Sequence, residues 1–302
     1  FKKGKMKSRD VLEFAVNSEI NLLSLHENLA SQKYRHGPYE SFYVSDPKRR
    51  HIHKAKVIDR VLHHVVHRIL YPFFDKKFIF DSYSSRRGKG TYAAVARFEK
   101  FAWKLSKNDT KTVWVLKCDI RKFFESIDHV KLLELLKNEV SCNKTLFLLE
   151  NIVKSFRGEE GRGIPLGNLT SQLFSNIYMN LFDQFVKREL KCIHYIRYAD
   201  DFLFLSCKPI DFEKILPYVR DFLSKELFLT LHGGKIGIKK WHQGIDFLGL
   251  ISFPYHRILR PKTKKRLFRR INGKNLVSYL GVLSHCRSFE IRKKLVVLPQ
   301  FF

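Results

Sequence analysis

Acidic residues are scarce in this chain, and so are the features that would staple it, anchor it or give it a familiar nucleotide fold. Asp and Glu number 29 against 57 Lys and Arg, so the 302 residues carry a formal charge of +28. A globular chain this basic meets a polyanion, with an affinity that falls steeply as salt rises. An anionic membrane would be the other acceptor, but no apolar run approaches the ~20 residues needed to span a bilayer, and no signal peptide is visible. The five cysteines (Cys118, Cys142, Cys192, Cys207, Cys286) include no CxxC pair. Their odd number and scatter imply reduced thiols in a cytosol-like compartment. Neither GxGxxG nor GxxxxGK[ST] occurs, which argues against Rossmann and P-loop enzymes. His63 and His67 stand four apart in a helical pattern, but with no HExxH and no third ligand nearby a polar helix face or an RNA contact outweighs zinc. No internal repeat or low-complexity linker interrupts the chain. A hydrophobic content of 44%, with 27 Phe, supplies a sizeable core for one large domain or two smaller ones.

The apolar spacing predicts helices over 9–33, 55–71 (ended by Pro72), 91–105, 129–138, 145–156, 169–190 and 211–227. Short strands are expected at Phe42–Val44, before the Asp46-Pro47 turn, and over 113–119, 192–197, 202–205, 228–231, 236–238 and 245–251. Asp128 stands where a helix N-cap belongs. From 261 onward the chain is very basic and helix-like, and reads as a separate helical subdomain.

Two acids stand out against this scarcity. Tyr198-Ala199-Asp200-Asp201 lies between the β-prone runs CIHYIR and FLFL, at the tip of an expected hairpin. Adjacent carboxylates resist joint ionisation unless a cation neutralises them. Magnesium takes hard oxygen ligands, typically one or two carboxylates plus substrate phosphates, and two-metal nucleotidyl transfer needs another acid from elsewhere in the chain. Val113–Ile120 is a β-rich run containing Asp119, which would close its strand beside that hairpin.

This series resembles the palm motifs of reverse transcriptases, whose first acid opens a DxxxxF pattern (here Asp119 to Phe124) and whose second pair lies in YxDD. The resemblance runs in order from about Tyr34 to about Ser252. It implies an α+β right-hand polymerase fold, with an antiparallel palm sheet backed by helices. The expected divisions are N-terminal helices and fingers over 1–110, palm over 111–254 with a fingers insertion at about 130–165, and a short basic helical thumb over 255–302. It further implies two Mg²⁺ ions, with Mn²⁺ as a substitute, on Asp119, Ile120, Asp200 and Asp201. Lys235 matches a lysine proposed to protonate the departing pyrophosphate.

By the same resemblance Lys48, Arg50 and Arg86 would grip the triphosphate of a dNTP, with Leu166 and Gly167 beside the nucleotide. Phe124 would lie under the sugar and exclude a 2′-OH, while Phe123 next to it reads as core. Gln172, Tyr198 and the primer-grip-like Phe247, Leu248 and Gly249 would contact template and primer, and Lys264, Lys265 and Arg269 the RNA/DNA duplex.

Most reverse transcriptases carry QGxxxSP ahead of YxDD; here Leu166 replaces the Gln and Gln172 the Pro. The LGNLTSQ form, with SYSSRRGKGT upstream, resembles the enzymes of diversity-generating retroelements. Those copy a template RNA, misincorporate opposite adenines, and work with a small basic accessory protein. A cytoplasmic setting in a prokaryotic cell or phage-infected host follows from that likeness. The alternatives are a group II intron-like, retron or phage-defence reverse transcriptase, and a non-catalytic RNA-binding scaffold.

Overall fold

The computed structural model describes residues 1–2, 4–45, 49–156, 158 and 161–296, the last by its backbone alone. In chain order the elements are α1 (Arg9–Val16), α2 (Ser18–Ala30), β1 (Glu40–Ser45), β2 (Arg49–Lys54), α3 (Val57–Asp75), α4 (Thr91–Ser106), β3 (Trp114–Asp119), α5 (Phe123–Ser126), α6 (His129–Lys137), α7 (Asn143–Lys154), α8 (Leu169–Arg188), β4 (Tyr195–Tyr198), β5 (Asp201–Ser206), α9 (Ile210–Leu227), β6 (Gly237–Lys240), β7 (Ile245–Phe247), β8 (Leu250–Ser252), β9 (Arg257–Leu259), α10 (Pro261–Arg270), α11 (Leu276–Leu283) and α12 (Phe289–Val296). Among the described residues no helix is long and apolar enough to cross a membrane. The chain divides into two compact units, each built from three stretches. Residues 1–80, 120–189 and 219–231 make the first, and 81–119, 190–218 and 232 onward the second.

The first unit is mainly helical. Leu62, Val66, Leu70 and Phe74 of α3 recur at helical spacing and are buried, and α3 packs against α8. That helix buries Leu173, Phe174, Ile177, Tyr178, Met179, Phe182 and Val186, and with them the polar Thr170, Ser171, Ser175, Asn176 and Asp183. The buried Tyr178 keeps its hydroxyl satisfied by donating to the Leu227 carbonyl at 2.7 Å. Asp128 caps α6 as expected, accepting from the Lys131 N–H at 2.9 Å. Each such cap contributes roughly 1 kcal/mol.

A polar network ties the segment before β1 to α3. The Tyr34 hydroxyl donates to Asp59 at 2.6 Å, and the buried His63 ring meets His36 at 3.1 Å. His67, one turn on, stacks on Tyr71 instead. Burial, with His36 and His64 close by, pushes His63 down to about 3. An unfolded chain takes up this proton near 6.5, so between those values the unfolded state binds more protons and stability falls as pH falls. The melting temperature of the wild type is expected to drop more steeply than that of His63→Gln between about pH 7 and about pH 5. Equal pH slopes would remove His63 as the cause.

The second unit holds two antiparallel sheets, ordered β4-β5-β3-β6 and β7-β8-β9. One face of the larger sheet (Val115, Ile196, Leu203, Leu205) shares a single core with α4 (Ala94, Phe98, Ala102) and with Trp241 and Phe247. Leu267, Leu283, Ile291 and Leu295 of α10–α12 join that same core, while Lys264, Lys265 and Arg269 stay exposed. The basic tail is therefore an integral wall of this unit, not a separate body as its composition suggests.

One strand has no expectation behind it, and three local expectations are corrected. Strand β2 reads RRHIHK and has little β-propensity, yet it pairs with all of β1. Tyr43 stacks on His51 across the pair with ring centres 4.5 Å apart, and the Arg49 guanidinium covers Tyr43 at 4.1 Å; cross-strand contacts of this kind supply what propensity does not. Pro72 lies inside α3, which continues to Asp75 because Phe74 beyond it is 2% exposed and fully packed. Residues 228–230 form no strand; only Leu231 makes a single antiparallel bridge, to Ile120. The run 245–251 is a hairpin, turned at Leu248 and Gly249 with φ of 53° and 91°. Positive φ at both central residues is the type I′ geometry that matches strand twist.

Candidate active site

Asp119 is the last residue of β3, an inner strand of the larger sheet. Its partner in register is Asp201, the first residue of β5, and Asp201 also pairs with Tyr198 of β4. Residues directly opposite on an antiparallel pair place their Cβ atoms roughly 4.5–5.5 Å apart on one face. Two acids some eighty positions apart in sequence are thereby neighbours. Ala199 and Asp200 form the connecting turn, and Ala199 holds a φ of 55°, strained for a residue with a Cβ. Arg197, 1% exposed, donates from Nη1 to the Ala199 carbonyl at 3.1 Å. Its own backbone bonds Asp81 and Tyr83, so the segment before α4 braces the turn from behind.

Two lysines attend the acids. Lys235 Nζ donates to Asp119 Oδ1 at 2.6 Å. It is positioned by a 3-10 turn, Gly233–Lys235, whose preceding His232 N–H is tied to the Asp119 carbonyl at 2.8 Å. Lys117 Nζ lies 3.1 Å from Asp201 Oδ2. The other oxygen of Asp201, Oδ1, is buried and has no hydrogen-bond partner. Burial raises the Asp201 carboxyl to about 6; Lys117 opposes this, and Asp119 and Asp200 add to it.

An orphaned, buried carboxylate oxygen beside two more acids is a hard-oxygen donor set that suits Mg²⁺. Among the described residues no three acidic, His or Cys side chains close around an ion, and one oxygen each of Asp119 and Asp201 is turned to an ammonium. Ile120 is 1% exposed, and only its carbonyl oxygen, not its side chain, offers a metal ligand.

Of the other expected residues in this unit, Arg86 folds back on its own loop, donating to the Ser82 carbonyl at 3.1 Å and hydroxyl at 2.8 Å. The half-buried Tyr198 accepts a long bond from Thr91 at 3.4 Å. Phe247 is buried at the base of the β7–β8 hairpin, with Leu248 and Gly249 at its tip. Lys117, Arg197 and the Asp246–Arg260 ion pair were not anticipated. The signal for Lys117 is its spacing: two residues before Asp119 on a strand puts both on one face.

The first unit brings a second set together. The Ile164 N–H donates to the Phe124 carbonyl at 2.8 Å, and the His53 N–H to the Leu166 carbonyl at 3.1 Å. Asn168 reaches the His53 carbonyl at 2.9 Å. Segment 163–168 thus joins the α5 turn to β2, the strand bearing the exposed Arg50. Phe124 is half-buried, whereas Phe123 is 2% exposed and serves the core as expected. Gly167 has a φ of 103°, and a Cβ there would come within 3.0 Å of Ile52, so glycine lets the segment lie on β2. Gln172 is exposed on α8. Lys48 and the Asp46-Pro47 turn lie outside the described residues.

Residues 45–252 match the family model described as reverse transcriptase (RNA-dependent DNA polymerase). Protein YkfC of Escherichia coli K12 is 25% identical over 288 residues, covering 81% of this chain and 73% of YkfC. The group II intron-encoded protein LtrA of Lactococcus lactis subsp. cremoris is 23% identical over 178 residues, 56% of this chain and 28% of LtrA. Among solved structures, telomerase from Candida albicans in complex with a telomeric RNA fragment aligns with a TM-score of 0.56 at 12% identity. That alignment covers 84% of this chain and 51% of the telomerase, so the chain spans about half of that neighbour's length. The likeness establishes the right-hand polymerase fold. With the family model matched over more than half of its length, the chain belongs to the reverse transcriptase (RNA-dependent DNA polymerase) family.

Proposed function

We propose that this protein is an RNA-directed DNA polymerase that makes cDNA from a template RNA. The observation that carries the reading is the register of Asp119 with Asp201, which seats two acids side by side with a buried, unpartnered oxygen on Asp201. Bound divalent cations would activate the primer 3′-OH and neutralise the triphosphate. The protein's part is to hold Asp119, Asp200 and Asp201 on a braced turn, and to present Lys235 as the proton donor to the leaving pyrophosphate. Arg50, Arg86 and Lys48 would bind the triphosphate, with Phe124 beneath the sugar. Phe247–Gly249 would seat the primer end, and α10 would meet the duplex as part of a thumb. Primer extension on a defined RNA, with Mg²⁺ and dNTPs, tests this reading; no extension by the wild type would end it.

The finer reading is a diversity-generating enzyme, error-prone at template adenines and working with a small basic accessory protein. Its support is Leu166, whose side chain offers no hydrogen bond where an amide would hold the nucleotide. Loss of one such bond is worth about 0.5–1.5 kcal/mol, on the order of a tenfold change in discrimination. Leu166→Gln is therefore expected to lower misincorporation opposite adenine roughly tenfold, read by deep sequencing of cDNA. An error spectrum indifferent to the substitution would count against the role. The relatives among intron-encoded proteins favour a group II intron-like enzyme as the second reading, and adenine-biased errors in the wild type separate the two.

A further inference from the structure

We propose that Lys117 is the positioning residue for this chemistry: it fixes the rotamer of Asp201 and ties the acid to the β7–β8 hairpin. The inference rests on the polymerase reading above and deepens it. Lys117, Asp119 and Val115 share one face of β3. Val115 is in the core and Asp119 at the strand's end, so Lys117 spans the border between them. Its partner on β6 is Gly237, where an added Cβ would meet nothing within 4 Å. The lysine stem therefore has room to run along the sheet with its ammonium at the acids.

The ammonium lies over the Phe247 ring, 5.9 Å from its centre, and makes two polar contacts. It bonds Asp201 Oδ2 at 3.1 Å and donates to the Asp246 main-chain carbonyl at 2.6 Å. Asp246 is itself anchored, its carboxylate taken by Arg260 Nε at 2.7 Å. Holding Oδ2 leaves Oδ1 as the free oxygen of Asp201, the atom with no protein partner. Bonding Asp246 sets the height of β7, whose hairpin carries Phe247, Leu248 and Gly249. One side chain thus couples the orientation of the acid to the strand proposed to seat the primer. A cation here also repels other cations, so affinity for metal is not what Lys117 provides; alignment is.

The test compares Lys117→Met, Lys117→Gln and Lys117→Arg in the full chain. Mn²⁺ binding to the free protein, read by electron paramagnetic resonance, is expected to be as tight as in the wild type or tighter for Met and Gln, because a competing charge has gone. The kcat of primer extension is expected to fall about tenfold or more in both, as misplacement of reacting groups does. The primer KM should rise while the dNTP KM stays unchanged. Lys117→Arg should recover part of kcat, since it keeps the charge and the donor. Should Met fail to fold, judged by its melting curve, Gln carries the test, being polar and of similar length. Wild-type kcat and primer KM in a folded Met or Gln variant would overturn the proposal. So would a kcat loss that tracks weakened Mn²⁺ binding and is restored by excess metal. A wild type that extends no primer would instead sink the polymerase reading itself.

Discussion

Replacing Asp201 with Asn is expected to abolish cDNA synthesis while leaving RNA binding and folding intact. The substitution keeps the shape of the side chain and removes its charge. It takes away one of the acids that suit a divalent cation, and it leaves Lys117 without its ionic partner. Charge stabilisation by a bound cation is worth several kcal/mol in the transition state, so the loss should be about a thousandfold or more. Asp200→Asn should behave alike. RNA affinity, which draws on a formal charge of +28 spread over the chain, should change little. The fold should also tolerate the change. Asp201 crowds Asp119 and Asp200 and buries an unpartnered oxygen, so with a chelator present the variant should melt at the wild-type temperature or above. Functional sites commonly hold such locally unfavourable charge. Primer extension, filter binding and a melting curve on one preparation check all three statements. Appreciable polymerase activity in either variant would refute the site.

Replacing Phe124 with Ala is expected to open the enzyme to ribonucleotides. The Phe124 carbonyl is already bonded by the Ile164 N–H at 2.8 Å, and the neighbouring Phe123 carries the packing. Truncating the half-buried ring should therefore leave the backbone of the α5 turn in place. What is lost is the ring's bulk and its edge contact with Phe123, and bulk is what would refuse a 2′-OH. Steric discrimination of about one small group is worth roughly 1–3 kcal/mol, or about 10–200-fold. The ratio of kcat/KM for rNTP over dNTP should rise by that factor, measured with each nucleotide singly on one primer-template. An unchanged ratio would return Phe124 to the role of an ordinary packing residue.

The acids were legible because their signal is local and chemical. A doubled carboxylate between two β-prone runs repels itself unless a cation sits beside it, and Asp119 closes a β-rich run. The long helices were legible for the same reason, since α3 and α8 need a continuous apolar stripe. What escaped depends on partners distant in sequence. Apart from Ile52, strand β2 is all charge and imidazole, and its pairing and ring contacts with β1 make it a strand. Pro72 reads as a stop until Phe74 is seen buried beyond it. Leu248 and Gly249 look like the middle of a strand because leucine at positive φ is rare. Lys117 is one lysine among many basic residues, and nothing in its neighbours marks Asp246, 129 positions later, as its acceptor. The same holds for Arg197, whose burial is offset by a turn it supports and a loop far upstream.

The interleaving of the two units has a consequence for biosynthesis. Leu203 and Leu205 leave the ribosome well before Leu283, Ile291 and Leu295, which belong to the same core. A nascent chain must carry that half-built greasy face through roughly ninety further residues, on the order of 5–20 s at ordinary translation speed. The helical unit finishes first, at residue 231, and stands as the only completed body while the rest emerges. Productive yield in a cell should thus depend on chaperones that shield the waiting strands, and on an uninterrupted C-terminal run of translation.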